Sequence, residues 1–187
     1  DGATAPIRAY QLTEVREPCD NVDPLRRPHF GDMHVHTAWS FDASTQDTRN
    51  RTEDAYRFAK GEPMGIQPYD KNDKATRTIQ LDRPLDFTAV TDHSEFLGEV
   101  PMCTTPGKPG YWHPVCLIHR HFPQYSFLTF GAAGLSYKHR WGLCGDDNEI
   151  CFAEAADSWR QIQQANEEAY DRSSDCSFTS FNGYEWT

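Results

Sequence analysis

The sequence contains no apolar run that approaches about 18 residues, which excludes a transmembrane helix of ordinary length. Basic residues are also scarce, because 18 lysines and arginines stand against 28 aspartates and glutamates and leave a net charge of −10. That balance argues against binding to nucleic acid through a basic surface. No C-x-x-C pair, internal repeat or low-complexity tract occurs, so a zinc ribbon and a thioredoxin-like centre have no support. A phosphate-binding glycine loop is also missing, so no nucleotide motif indicates the substrate.

Six cysteines are many for a cytosolic protein of this size, and they are scattered through loop-like stretches: Cys19, Cys103, Cys116, Cys144, Cys151 and Cys176. An even number of cysteines outside metal-binding pairs predicts disulfides, and hence a periplasmic or secreted protein. Cys103 with Cys116 and Cys144 with Cys151 bracket short segments and are the preferred pairs. Cys19 with Cys176 remains by elimination, and free buried cysteines are the alternative. A chain that begins at Asp1 is what a mature exported protein would show.

The length of 187 residues suggests one domain, with a polar, proline-containing arm over residues 1–28 and a body over residues 29–187. Residues 29–36 form the first predicted strand. The near-continuous apolar run over 85–91 predicts a second strand that is buried and parallel to the first. The other predicted elements are a helix over 53–60 capped by Thr52, a loop over 62–76, a short hairpin arm over 77–81, a helix over Asp147–Asp171 and a strand over Phe178–Trp186.

Between about residues 98 and 145 the composition changes, and proline, glycine, aromatic residues and cysteine crowd together. A structureless loop of this length is rare in a compact domain unless it is functional or cross-linked. The segment is therefore predicted to be an insertion, with short helices over 114–121 and 126–138, that covers one end of the scaffold. His119 and His121 form a His-x-His pair here, but side chains two apart on a helix diverge, so neither is a predicted metal ligand.

Two histidines one residue apart stand near the front of the chain, in the stretch Phe30–Asp42. His34 and His36 are expected to point to the same face of an extended segment, because strand side chains alternate with period two. Neutral imidazoles so placed can hold one divalent cation. Asp42 follows at a spacing that lets a turn return its carboxylate to the same pocket. Two ordinary strand histidines are the alternative interpretation of the pair.

A second stretch, Leu85–His93, strengthens the metal interpretation. Its β-rich run ends in Thr91-Asp92-His93, so metal-type side chains also stand at the end of the second predicted strand. Glu185 has the same place at the end of the last predicted strand. Since the carboxyl ends of parallel strands carry the active site in α/β barrels, we expect these side chains to meet at one edge of the sheet.

Together the two stretches resemble the first two motifs of the PHP (polymerase and histidinol phosphatase) superfamily: His34-Val35-His36-Thr37 with Ser40 and Asp42, and Ala89-Val90-Thr91-Asp92-His93. The segments Phe30–His34, Asp54–Gly61 and Gly183–Thr187 are similar to one branch, a set of large exported bacterial PHP-type proteins that carry a domain-of-unknown-function label. The resemblance covers about residues 28–98 and the last few residues. It implies the N-terminal portion of a distorted, TIM-like (β/α)7 barrel of the α/β class, with the cysteine-rich segment as an insertion.

The resemblance also implies a cluster of two or three divalent transition metal ions, which would be Zn, Mn or Fe. His34 and His36 are the implied ligands of one ion. Glu185 is the implied bridge from that ion to a second. Asp42 and His93 are the implied ligands of a third.

Two further roles are implied for carboxylates. Asp92 and Glu185 are the predicted catalytic carboxylates, and Asp92 and Asp32 are also expected to orient metal-binding imidazoles by hydrogen bonds. A metal cluster of this kind activates water near neutral pH and polarises the oxygens of a phosphoryl group. The implied activity is metal-dependent hydrolysis of a small anionic ester, and a phosphoester is the first candidate. A non-enzymatic exported binding module on the same scaffold is the alternative.

The sequence departs from the superfamily pattern in one respect, because PHP sites take further ligands from later strands that this sequence does not contain. Three parallel strands cannot close a barrel, and the third would present an unpaired edge. We therefore expect a partner chain or a C-terminal continuation to supply the rest of the barrel. A purely structural, disulfide-rich exported domain would leave the pairing of the two histidine motifs unexplained.

Overall fold

A computed structural model describes residues 16–134, 140 and 142–186 of the chain. The strands among these residues are β1 (Gly31–Val35), β2 (Met64–Tyr69), β3 (Ala75–Ile79), β4 (Phe87–Val90) and β5 (Thr179–Asn182). The α-helices are α1 (Phe41–Ser44), α2 (Thr52–Ala59), α3 (Glu99–Thr104), α4 (Pro114–His121), α5 (Pro123–Gly134) and α6 (Glu149–Ala169), and a 3-10 helix spans Ser94–Phe96.

The central sheet is parallel and has the strand order β1–β4–β5, while β2 and β3 form a separate antiparallel hairpin. Gly31 stands opposite Phe87, and Phe87 stands opposite Thr179. Strands β1 and β4 approach closely at this end, since a Cβ on Gly31 would overlap the carbonyl oxygen of Phe87. The predicted α/β class with a parallel sheet is confirmed, and the shared strand direction brings three carboxyl ends to one edge.

Helices α2 and α6 pack on one face of this sheet. Tyr56, Val90 and Phe178 belong to the buried core between the helices and the strands. The Tyr56 hydroxyl accepts a hydrogen bond from the Asn166 amide at 3.0 Å and donates one to the carbonyl oxygen of Phe181 at 3.3 Å. The buried phenol is therefore paired on both sides, and it links α2 to α6 and β5.

The opposite face of the sheet is open among the described residues. Met33 is 52% exposed and Phe181 is 43% exposed, although both belong to strands of the central sheet. These two side chains take part in a shallow groove of about 380 Å³, whose lining is His29, Met33, Asp86, Phe87, Thr179 and Phe181. Helices thus cover one face of the sheet, and among the described residues the other face is exposed to solvent.

The predicted insertion is helical and has a core of its own. Helices α3, α4 and α5 enclose a cluster of buried apolar side chains and cystines: Phe41, Phe96, Val100, Met102, Cys103, Cys116, Phe130, Leu143, Cys144 and Cys151. Two disulfides, Cys103–Cys116 and Cys144–Cys151, lie inside this cluster. A third, Cys19–Cys176, ties the end of the N-terminal arm to the loop before β5. All three predicted pairs are confirmed.

The helix predictions are confirmed to within a few residues. The helix predicted over 126–138 begins earlier, at Pro123, and the part of it beyond Gly134 lies outside the described residues, as do the first 15 residues of the arm. Thr52 is the first residue of α2 and not its N-cap, which is Arg51. The Arg51 N–H instead donates to the Asp54 carboxylate at 2.9 Å. No helix in the part of the chain that the structure describes is long and apolar enough to cross a bilayer.

The loop predicted over residues 62–76 is wrong, because this segment contains β2 and the start of β3. The strand pairing is regular from Met64 to Ile66 and breaks before Tyr69, at the position of Pro68. Proline cannot donate a hydrogen bond to the ladder, which explains the break. The hairpin is held to the preceding loop by the Asn50 amide, which donates to the carbonyl oxygen of Gly65 at 3.0 Å.

A buried ion pair joins the insertion to the segment after β4. Glu99 is 3% exposed and forms an ion pair with Arg140, which also donates to the carbonyl oxygen of Glu95 at 2.6 Å. Burial raises the pKa of Glu99, and the charge of Arg140 only partly opposes that rise. The carboxylate therefore depends on the guanidinium as its counter-charge.

We expect Arg140→Met to lower the free energy of unfolding by about 3–5 kcal/mol, because it leaves a buried carboxylate without a partner. Folding raises the pKa of Glu99, so the acid takes up a proton as the pH falls and the buried charge disappears. The loss should therefore be smaller at about pH 5 than at about pH 8 in urea titrations. Arg160→Met, which removes an exposed ion pair with Asp157, is the control and should lose less than about 1 kcal/mol. Equal losses in the two variants would contradict the prediction.

Candidate metal centre

His34 and His36 lie at the carboxyl end of β1, with His34 on the strand and His36 just beyond Val35. The period-two alternation turns both rings to the same side, as predicted, and Nε2 of His34 lies 3.0 Å from Nε2 of His36. The side chain of His34 is 69% exposed, whereas that of His36 is 15% exposed. The pair therefore presents two imidazole nitrogens at a surface that solvent reaches.

Glu185 is brought to these histidines by the chain that continues from β5. Beyond Asn182 this chain forms a parallel bridge in which Glu185 pairs with His93. The N–H of Glu185 donates to the carbonyl oxygen of Asp92 at 3.1 Å. Its own carbonyl oxygen accepts from the N–H of Ser94 at 2.9 Å and from the Ser94 hydroxyl at 3.0 Å. Hydrogen bonds to the N–H and to the carbonyl oxygen of Glu185 thus fix the backbone position from which its side chain extends.

The two oxygens of the Glu185 carboxylate face different histidines. Oε2 lies 2.8 Å from Nε2 of His34 and 2.9 Å from Nε2 of His36. Oε1 lies 4.0 Å from Nε2 of His93. A carboxylate with one oxygen toward each of two ligand groups has the placement that a bridge between two metal ions requires.

Asp42 lies beside Nδ1 of His36, whereas His34 and Glu185 lie beside Nε2 of the same ring. Its Oδ2 lies 2.9 Å from Nδ1 of His36. The hydroxyl of Ser40 donates to Oδ1 of Asp42 at 2.6 Å and accepts from the N–H of His93 at 3.1 Å. Ligand atoms of His36, Asp42 and His93 lie within 4.8 Å of one another. Asp42 can therefore orient the His36 ring, as carboxylates often do for metal-binding histidines, besides serving as a ligand.

Among the described residues, Asp92 and Asp32 accept hydrogen bonds from Thr37 and from the His34 backbone and from no imidazole ring, which differs from the role expected of them. Asp92 is 1% exposed and accepts from the N–H of Thr37 at 2.5 Å and from the Thr37 hydroxyl at 2.7 Å. Asp32 accepts from the N–H of His34 at 2.9 Å. Burial raises the pKa of Asp92 to about 6 against the opposing effect of the two hydrogen bonds. Asp92 thus positions Thr37, and its catalytic role stays a prediction.

The histidines and carboxylates of the cluster stabilise each other's charged forms. Burial lowers the pKa of His36, but the hydrogen bonds and charges of Asp42 and Glu185 outweigh burial, and the net pKa is raised. Burial raises the pKa of Asp42, yet hydrogen bonds from Ser40 and His36 leave it below its ordinary value. The pKa of Glu185 is likewise lowered, because His36, His93 and His34 outweigh burial. The carboxylates are therefore ionised, and the site attracts positive charge.

The donor atoms of the first group fit a transition metal ion. Ligand atoms held about 2.0–2.1 Å from a tetrahedral ion lie about 3.3 Å from one another. The three separations among Nε2 of His34, Nε2 of His36 and Oε2 of Glu185 are 3.0, 2.8 and 2.9 Å, close to that value. Two imidazoles and one carboxylate form a donor set that suits Zn, Mn or Fe. These residues therefore suit an ion of the expected class.

Among the residues that the structure describes, the other groupings of ligand-type side chains are not alternative metal sites. Glu99, Cys144 and Cys151 lie together, but both sulfur atoms are in a disulfide and offer no thiolate. His119 is buried in the insertion, while His121, two residues on, is exposed, so the two rings diverge as predicted. The histidines of the two front motifs are the ones that converge.

Three supporting residues were missed by sequence reasoning: Thr37, which holds Asp92; Ser94, which anchors Glu185; and His119, which contacts Ser44 of α1. Thr37 and Ser94 directly follow His36 and His93 in the sequence, and that adjacency was the available signal. His119 and Ser44 are 75 residues apart, and no local pattern connects them.

Comparison with known proteins places the chain in a family. A family model described as "Protein of unknown function (DUF3604)" matches residues 23–187. The chain belongs to this family. The part matched by DUF3604 contains both histidine motifs and Glu185, so every residue of the candidate centre lies within it. No curated protein and no solved structure matches the chain significantly.

Proposed function

We propose that this chain carries the metal centre of a divalent-metal-dependent hydrolase that acts on phosphoesters. The observation that supports it is the Glu185 carboxylate, whose Oε2 lies 2.8 Å from His34 and 2.9 Å from His36 and whose Oε1 lies 4.0 Å from His93. Two-ion hydrolases clamp the attacking and leaving oxygens with ions about 3.5–4 Å apart, and a shared carboxylate sets such a spacing.

In this proposal the chain supplies most of the ligands of two ions. His34, His36 and Glu185 would hold one, and His93 and Asp42 would hold the other, with Oε1 of Glu185 on the side of His93. Bound ions of this class lower the pKa of coordinated water and polarise a phosphoryl oxygen. The exposed ring of His34 marks the side from which a substrate enters. Because the net charge of −10 repels anions, recognition of an anionic ester would depend on the ions and not on a basic surface.

The finer fold that we propose is the N-terminal portion of a PHP barrel. The order β1–β4–β5 follows the chain, all three strands are parallel, and α2 and α6 cover only one face. The exposed apolar residues on the other face, Met33 and Phe181, are of the kind that fill a barrel interior. Further strands, from a continuation or a partner chain, would cover that face and add the remaining ligands. The three disulfides favour an exported location for the assembly.

The test is hydrolysis of a panel of phosphomonoesters and phosphodiesters by the complete protein after chelation and stepwise return of Zn²⁺, Mn²⁺ or Fe²⁺. The expected result is loss of activity on chelation and recovery with at least one of these ions. Glu185→Gln, which keeps the size of the side chain but removes its charge, should not recover. Tight binding of the ions with no turnover on any ester would favour the non-enzymatic binding module, and metal-independent hydrolysis would contradict the proposal.

A further inference from the structure

One histidine of the insertion reaches the segment that carries Asp42. His119, on α4, is 3% exposed, and both of its ring nitrogens have hydroxyl partners. Nε2 lies 2.9 Å from the hydroxyl oxygen of Ser44, and Nδ1 lies 2.7 Å from the hydroxyl oxygen of Ser126. Ser44 is the last residue of α1 and stands two positions after Asp42. The contact therefore links the insertion directly to the metal-centre side of the molecule.

Helix α1 depends on such contacts for its position. It has four residues, and a helix of one turn has no stability of its own in water. Its first residue, Phe41, is buried in the core of the insertion, where its ring lies 5.3 Å from that of Phe130 and 5.2 Å from that of Phe96. Asp42 thus sits between two anchors, Phe41 and Ser44, and both anchors rest on the insertion or on its core.

The chemistry of His119 suits a fixed contact and no proton transfer. Burial, with a smaller effect from the charge of Arg120, lowers the pKa of His119 to about 4, so the ring is neutral near neutral pH. A neutral imidazole has one donor and one acceptor nitrogen, and serine hydroxyls can match either. The disulfide Cys103–Cys116 joins α3 to α4, the helix that carries the ring. His119 is thus part of a cross-linked unit.

We propose that His119 is a positioning residue of the metal centre, which holds α1 through Ser44 so that Asp42 meets the ring of His36. The inference rests on the proposed metal centre. It gives the insertion a function, namely to fix one side of the ligand set from outside the sheet. Asp42 takes part whether it acts as a ligand or as the carboxylate that orients His36, since its Oδ2 lies 2.9 Å from Nδ1 of that ring.

A matched pair of substitutions separates the two contacts of His119. Asparagine places its amide near the position of Nδ1, and glutamine places its amide near the position of Nε2. His119→Asn therefore keeps a partner for Ser126 and loses Ser44, while His119→Gln keeps a partner for Ser44. Ser44→Ala removes the same contact from the other side with a smaller change. His121→Ala alters an exposed histidine on the same helix and is the control.

The measurement is Zn²⁺ affinity of the complete protein, by competition with a chromophoric chelator, with thermal unfolding recorded for each variant. We expect His119→Asn and Ser44→Ala to bind Zn²⁺ about tenfold more weakly, and His119→Gln and His121→Ala to stay within about twofold of the wild type. Wild-type affinity in both His119→Asn and Ser44→Ala would overturn the inference. An equal loss in His119→Gln would also overturn it, because a general packing defect would then be the cause.

A double-mutant cycle tests whether His119 acts through Asp42. In an Asp42→Asn background, His119→Asn should weaken Zn²⁺ binding no further, because effects that share one route are not additive. A second, full tenfold loss in that background would overturn the inference while leaving the metal centre intact. Failure of the wild-type protein to bind Zn²⁺ at all would instead overturn the proposed function, and the inference with it.

Discussion

Replacing His36 by alanine is expected to lower the Zn²⁺ affinity of the complete protein by at least about 100-fold, since changes to outer partners of metal ligands alone cost about 10–100-fold. His36 belongs to both candidate ligand groups, one with His34 and Glu185 and the other with Asp42 and His93. Its Nε2 meets the Glu185 carboxylate at 2.9 Å, and its Nδ1 meets Asp42 at 2.9 Å. Among the described residues, His36 is the side chain that these two groups share.

The measurement for His36→Ala is metal content after dialysis against a weak chelator, together with hydrolytic activity on the same sample. Metal and activity should fall together. His29→Ala is the control, because His29 is a histidine close in sequence that lines the groove on the open face of the sheet. Full metal content and full activity in His36→Ala would show that the centre lies elsewhere in the protein.

The second large effect is expected from the disulfide Cys19–Cys176, whose cysteines are 157 residues apart. Loop-closure entropy grows with the length of the closed loop, so this cross-link restricts the unfolded chain more than the other two. Serine at both positions should lower the free energy of unfolding by about 5 kcal/mol on this account. The native contacts of the arm add to the effect, since Arg16 donates to the Tyr170 hydroxyl at 2.8 Å beside the cystine.

Urea titration of the oxidised protein measures this loss. The matched control is serine at Cys144 and Cys151, which are only 7 residues apart. The same relation gives about 2 kcal/mol for that shorter loop, so the long cross-link should contribute about twice as much. If the short loop proved the more stabilising, native packing around Cys144 and Cys151 would outweigh chain entropy, and the prediction would be wrong.

The sequence predicted which side chains meet at the centre because their placement depends on local rules. Strand alternation turned His34 and His36 to one side, and parallel strand ends brought His93 and Glu185 to the same edge. It did not predict what Asp42 contacts. A spacing of six residues allows many positions for the carboxylate, and only the path of α1 places it 2.9 Å from Nδ1 of His36.

The misplaced elements depend on contacts between distant segments. Residues 64–69 carry glycine and proline, which favour a loop, but antiparallel pairing with Ala75–Ile79 makes them a strand. Thr52 has a good capping side chain, yet the N-cap is Arg51, whose N–H donates to the Asp54 carboxylate. The His119–Ser44 contact joins residues 75 apart and has no counterpart in any local pattern.

The most direct measurement of the central claim is X-ray absorption at the zinc edge of the complete, zinc-loaded protein. The ligand groups built on His34, His36, Glu185, Asp42 and His93 predict nitrogen and oxygen neighbours at about 2.0–2.1 Å, with the outer-shell scattering of imidazole rings. Glu185→Gln alters a charged oxygen ligand and no imidazole, so the amount of bound zinc should fall while the neighbours remain nitrogen and oxygen with imidazole scattering. A sulfur neighbour at about 2.3 Å, or a shell of oxygen atoms without imidazole scattering, would contradict a metal centre built on these histidines.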